Sequence, residues 1–270
     1  MLKILLKLYE LLRYKKVINV FLVAGQSNTD GRNSATDPSA PEWIKDGILD
    51  NVQVWNGKEL TQYNLDIVSK AGNGSSWVNN MSQMKFSYAH IALKLVADKM
   101  KNVVVCQVSE GGTAINPRPN ARGSWNANYS LLDSDTPKLL MDLEERFNAL
   151  KAYCAANRIK MNVHGLIWHQ GESDSFEQAD IDAYSANWSG VIYKIREFTG
   201  KPYLPIFCGT IPNTSSCYSE QIRNVQMNIS TDVYCRDNND LTMFDGVHFD
   251  HASSIRFGEW MADTIKRVLK

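Results

Sequence analysis

No run of about 18 apolar residues occurs anywhere in the chain, so no transmembrane helix is expected. A C-x-x-C pair is also missing. The five cysteines, Cys106, Cys154, Cys208, Cys217 and Cys235, are odd in number and scattered, which argues against a zinc ribbon and a thioredoxin-like redox motif. Charge of one sign is not in surplus, with 29 basic against 29 acidic residues. Without a basic excess, non-specific nucleic-acid binding is not expected. Neither G-x-G-x-x-G nor G-x-x-x-x-G-K-[ST] is present, so nucleotide binding has little support. Repeats, low-complexity tracts and linker-like stretches are absent too, which points to one domain.

What is there is ordinary globular material. The chain has 270 residues, 44% of them hydrophobic and 21% charged. A chain of this length can bury roughly three quarters of its unfolded surface. Residues 1–16 read MLKILLKLYELLRYKK, with Lys3, Lys7 and Glu10 on one helical face and leucines filling the rest. That is an amphipathic basic helix, suited to packing on its own domain, to a membrane surface or to a dimer contact. Its lysines interrupt the apolar core that a signal peptide needs, and no small-residue cleavage site follows. A cytoplasmic location is therefore favoured, although a chain lacking an upstream leader would read the same way. In an oxidising compartment Cys208 and Cys217 would be a candidate pair.

Val17–Ala24 is a short, almost wholly apolar run, of the kind found in strands buried on both faces of a parallel sheet. Similar runs recur at Val103–Val108, Val163–Trp168, Leu204–Gly209 and Asp232–Cys235. Between them lie helical patterns at Phe86–Met100, Pro137–Ala156, Gln178–Phe198, Glu220–Asn228 and Ala252–Leu269. This alternation predicts an α/β fold with a five-stranded parallel sheet covered by helices on both faces. Gly31–Gln83, rich in Asn, Gly, Ser, Pro and Trp, reads instead as a long loop insertion. Trp43, Trp55 and Trp77 favour a loop that is ordered and packs near a site.

Open α/β sheets bind ligands at the carboxyl ends of their strands. The first strand ends in Gly25-Gln26-Ser27-Asn28, where a serine beside a permissive glycine is well placed as an exposed nucleophile. The ordinary role of such a serine is a helix N-cap, and G-x-S-x-G is absent. The second ends in Glu110-Gly111-Gly112-Thr113, whose glycines leave backbone N–H groups open to an oxyanion, or simply form a turn. The third ends in Trp168-His169-Gln170-Gly171-Glu172-Ser173-Asp174, a dense polar cluster. His169, Glu172 and Asp174 match no helical zinc motif. The fifth strand leads to Asp245-Gly246-Val247-His248. Three residues apart around a glycine, Asp245 and His248 can turn together, the carboxylate fixing the tautomer of a histidine that serves a serine. His251 is a competing base at the start of the last helix, and His90 and His164 read as structural.

Together these blocks resemble the SGNH hydrolases, in the branch of the sialate O-acetylesterases and acetylxylan esterases. GQSN, EGGT, WHQGESD and DGVH occur in the family's order over nearly the whole chain from residue 18 onward. The resemblance implies a flavodoxin-like three-layer α/β/α sandwich and a serine esterase that removes O-acetyl groups from a carbohydrate. It implies Ser27 as nucleophile, His248 as general base and Asp245 as its orienting carboxylate, with Glu172 a second candidate for that task. The implied oxyanion donors are the N–H groups of Ser27 and Gly112 and the side-chain amide of Gln170, where the wider superfamily has asparagine. Gly111 competes with Gly112 for this role, and Asn28 is expected to support the site. No metal or organic cofactor is implied. Arg118, Trp125, Trp77 and Trp43 are candidate sugar or carboxylate contacts. A non-catalytic carbohydrate-binding module of the same fold and a lipase or thioesterase of the superfamily are the competing readings. The polar, Asn-rich 31–83 segment fits a sugar better than a lipid. A homo-oligomer through the N-terminal helix stays open.

Overall fold

The computed structural model describes residues 13–31, 41–42, 48–64, 87–118, 121–214 and 217–270. The expected N-terminal helix falls outside them except for its last four residues, of which Arg13 is helical and Lys16 already begins the first strand. Trp43 and Trp77 also lie outside the described residues.

The apolar runs become β1 (Lys16–Gly25), β4 (Val103–Ser109), β5 (Ile159–His169), β6 (Ile206–Gly209) and β7 (Val233–Arg236), all parallel. The described residues of the Gly31–Gln83 segment depart from the expected loop. They include β2 (Ile48–Trp55) and β3 (Leu60–Asn64), which extend the sheet to seven strands in the order β3-β2-β4-β1-β5-β6-β7. β2 runs parallel to β4, and β3 returns antiparallel along the edge. The hairpin turns at Asn56-Gly57, where Asn56 Oδ1 accepts the N–H groups of Lys58 and Glu59 at 2.9 and 2.8 Å. β5 begins four residues before its fully apolar stretch. Its first half alternates, is only half-buried, and pairs with the start of β1.

Helices α2 (Tyr88–Ala97) and α6 (His251–Val268) cover one face of the sheet, and α3 (Leu139–Ala156), α4 (Gln178–Thr199) and α5 (Glu220–Asn228) the other. A four-residue helix, α1 (Ser27–Asp30), follows β1 directly. Because side chains alternate along a strand, Ile18, Val20, Leu22 and Ala24 join the core under α3 to α5, while Phe21 and Val23 join that under α2 and α6. α2 and α6 approach closely at Gly258, where an added Cβ would lie 2.6 Å from Ile91 Cγ2.

The five strands β4-β1-β5-β6-β7, numbered by their order along the chain, run 2-1-3-4-5, the flavodoxin-like winding. The chain leaves β1 for β4 on one side and later returns to β5 on the other. That reversal opens a crevice beyond the carboxyl ends of β1, β4 and β5.

All five cysteines are free. Cys208 faces Cys235 across β6 and β7, while Cys217 sits against the Thr214 hydroxyl, so the candidate Cys208–Cys217 pair is not formed.

Candidate active site

β1 ends at Gly25 with φ +142°, and a Cβ there would stand 2.1 Å from the His169 carbonyl oxygen. Only glycine lets the ends of β1 and β5 lie this close. The Gln26 N–H then donates to that carbonyl at 2.9 Å, and the chain turns into α1 with Ser27 as its first residue. Ser27 is thus held by backbone at the carboxyl end of β1, where it is buried rather than exposed as expected.

His248 arrives from the segment between β7 and α6. Asp245 builds the turn that carries it, with Oδ1 accepting the N–H groups of Val247 and His248 at 3.0 and 2.8 Å. Asp245 Oδ2 takes the imidazole Nδ1 at 2.6 Å. A carboxylate can only accept, so the proton sits on Nδ1 and the Nε2 lone pair is left to face Ser27 Oγ, 2.8 Å away. Burial pushes the Asp245 carboxyl up. The His248 ring and the two backbone N–H groups outweigh that and hold it below the usual carboxylate range. The half-exposed Phe244 ring stacks on the other side of the imidazole, centroids 5.9 Å apart and planes at 27°.

At the end of β4 the Glu110 N–H donates to the Gly25 carbonyl at 3.1 Å, and the Thr113 hydroxyl closes a turn on the Glu110 carbonyl at 2.7 Å. Within that turn Gly112 is exposed with φ +73°, whereas Gly111 is buried. Asp174 fastens the following segment, accepting the N–H groups of Ile115 and Asn116 at 2.9 and 3.0 Å. Burial keeps the Asp174 carboxyl above its ordinary range even so.

Several sequence expectations meet different surroundings. Gln170 does not offer a free amide N–H, because both hydrogens of its Nε2 are taken by Thr113 O and Asp174 Oδ2. Glu172 does not touch His248; its Oε1 accepts from His169 Nε2 and Asn28 Nδ2, each at 2.8 Å. Burial raises the Glu172 carboxyl, but the His169 and Asn28 contacts bring it below its ordinary range. Trp125 is fully buried in the core, its indole N–H on the Thr113 hydroxyl, and so cannot stack on a sugar. Arg118 is paired with Asp180 and donates to the Ser173 carbonyl, so its charge is met within the chain. His251 is buried at the first position of α6, and His90 is locked between Ser87 and Gln107. Among the described residues no group of three or more His, Cys, Asp or Glu side chains is arranged to hold a metal ion.

Asn28 proves more central than its neighbours in sequence suggest. Its amide bonds the backbone on both sides of His248, donating to the Val247 carbonyl and accepting from the Phe249 N–H. The signal for this was present only as a polar residue next to Ser27.

The sequence profile of the family described as "Carbohydrate esterase, sialic acid-specific acetylesterase" matches residues 17–267. An Arabidopsis thaliana protein named "Probable carbohydrate esterase" is 23% identical over 247 residues, covering 88% of this chain and 86% of that protein. The X-ray structure of that plant protein superimposes with a TM-score of 0.70 over 92% of this chain and 98% of the other, at 16% identity. The crystal structure of NanS gives 0.62 over 95% and 98% at 17% identity. That of a carbohydrate acetylesterase from Xanthomonas citri gives 0.57 over 92% and 56% at 16% identity. With the family profile matched along nearly its whole length, the chain belongs to the sialic acid-specific acetylesterase family of carbohydrate esterases and is a carboxylic ester hydrolase.

Proposed function

We propose that this protein removes O-acetyl groups from an acetylated carbohydrate through an acetyl-enzyme formed on Ser27. The reading is carried by one observation: Asp245, His248 and Ser27 form an unbroken chain of hydrogen bonds at 2.6 and 2.8 Å at the carboxyl edge of the sheet. Acetyl as the acyl group is supported by the family's description and by the Xanthomonas citri acetylesterase that shares the fold.

In this mechanism His248 Nε2 takes the Ser27 hydroxyl proton as Oγ attacks the ester carbonyl carbon. Asp245 stabilises the imidazolium that results, without itself taking the proton. The N–H groups of Ser27 and Gly112 receive the oxyanion, and the exposure and open backbone of Gly112 favour it over buried Gly111. The tetrahedral intermediate collapses, the C–O bond to the sugar breaks, and His248 returns its proton to the departing hydroxyl. Water enters, gives a proton to His248 and attacks the acetyl carbon. Acetate leaves and Ser27 recovers its proton. Gln170 and Asp174 serve by fixing the turn that holds Gly112.

Acetate release from 4-nitrophenyl acetate and from acetylated sugars, compared between wild type and Ser27→Ala, tests this. Turnover should vanish with Ser27. Equal activity in the two proteins would remove Ser27 from its role.

A further inference from the structure

We propose that buried Glu172 is a positioning residue for His248, acting through the side chain of Asn28. The inference rests on the reading of Ser27 and His248 as the reacting pair.

The Asn28 amide nitrogen donates to Glu172 Oε1 at 2.8 Å and to the Val247 carbonyl at 3.1 Å. Its oxygen accepts the Phe249 N–H at 3.0 Å. Val247 and Phe249 flank His248, so one side chain grips the backbone on both sides of the histidine. That side chain belongs to the residue next to Ser27. The two partners of the Ser27–His248 contact come from opposite ends of the chain and are tied to each other by a single amide. Were that amide turned over, its oxygen would face the Val247 carbonyl and the Glu172 carboxylate together. The carboxylate therefore selects the orientation that holds His248.

Glu172 is itself anchored. His169 Nε2 stands 2.8 Å from the same Oε1, and the Gln26 amide nitrogen, in the orientation that satisfies its neighbours, donates to Oε2 at 3.3 Å. His169 is wholly buried among the rings of Tyr88, Phe249 and Phe257, with its Nδ1 meeting no partner. An N–H at Nδ1 would be stranded there, so His169 donates to Glu172 from Nε2. Phe249, whose N–H Asn28 receives, packs its ring edge-on to His169 at 5.4 Å. The ends of β1 and β5 and the His248 segment thus converge on one carboxylate.

The test is a double-mutant cycle. Asn28→Asp sets a carboxylate against Glu172 and should lower kcat for 4-nitrophenyl acetate ~100-fold while moving KM less than about threefold, because it displaces a catalytic group without touching the substrate. Glu172→Gln alone removes the charge that orients the Asn28 amide and should lower kcat ~10-fold, whereas added to Asn28→Asp it should cost no further activity. A double variant slower than Asn28→Asp would overturn the proposal, as would an unchanged kcat in Glu172→Gln or a loss that falls on KM alone. If Asn28→Asp does not fold, Asn28→Ala replaces it, and adding Glu172→Gln must then cost no further activity. A readout without substrate separates this proposal from the esterase reading. The downfield proton signal of the His248 Nδ1–H, seen by NMR, should broaden or vanish in Asn28→Asp. Wild-type protein without Ser27-dependent turnover would end the esterase reading alone. An unchanged His248 signal in folded Asn28→Asp would end the positioning role.

Discussion

Asp245 does two things at once, and both depend on its being an acceptor at every lone pair in use. One oxygen shapes the turn and the other sets the imidazole tautomer. Asp245→Asn offers an amide N–H to one of these partners and so forces either a broken turn or a proton on Nε2, the nitrogen that faces Ser27 Oγ. A fall in kcat of about 10³–10⁴ is expected, by analogy with serine proteases. Rapid-quench measurement of acetyl-enzyme formation and breakdown should find both steps slowed, since His248 is the proposed base in each. Gln170 and Arg118 teach a different lesson at this scale. Both are chemically able to meet a substrate, yet one is spent on Thr113 and Asp174 and the other on Asp180. Residue type alone does not reveal a partner that lies 57 or 62 positions away, as Thr113 and Asp180 do.

Among the elements, the long helices were the most legible, because each carries its apolar stripe over several turns. Glu220–Asn228 begins and ends where the pattern predicts. The β2–β3 hairpin was hidden by the polar composition around it, although Val52, Val54 and the Asn56-Gly57 turn carry a local hairpin signal. Where two elements nearly touch, a glycine reports it. Gly258→Ala would drive a methyl group against Ile91 and to within 2.9 Å of the Tyr88 carbonyl, across the contact between α2 and α6. Both sides are buried core, so relief requires the helices to part. We expect a loss of ~1–3 kcal/mol, seen as a lower urea midpoint with an unchanged slope.

For the molecule as a whole, the carboxylates set the response to acid. Glu172, Asp240, Asp245 and Asp250 are held below their ordinary range in the fold. A group depressed in this way stabilises the folded state above its unfolded pKa, and that contribution is lost as pH falls through the folded value. Asp174 is raised and acts in the opposite sense, its contribution being present in acid and lost as pH climbs through its folded value. Four against one gives a net weakening in acid. The urea midpoint should be lower at about pH 3.5 than at about pH 6.5. An unchanged or higher midpoint in acid would mean that Asp174 outweighs the other four.

The sequence by itself determined the α/β class, the strands of the central sheet and the four polar blocks at strand ends, because apolar runs and helical stripes are local and repeat over several residues. Asp245 and His248 were legible as a pair because they share one short turn. What only the tertiary structure decided is which polar side chains meet across the crevice. It brings Ser27 to His248 across 221 positions and Glu172 to Asn28 across 144, and it turns Trp125 inward. Such pairings arise where strand ends are drawn together by the winding of the sheet. No local pattern encodes them, because each partner's environment is supplied by the other.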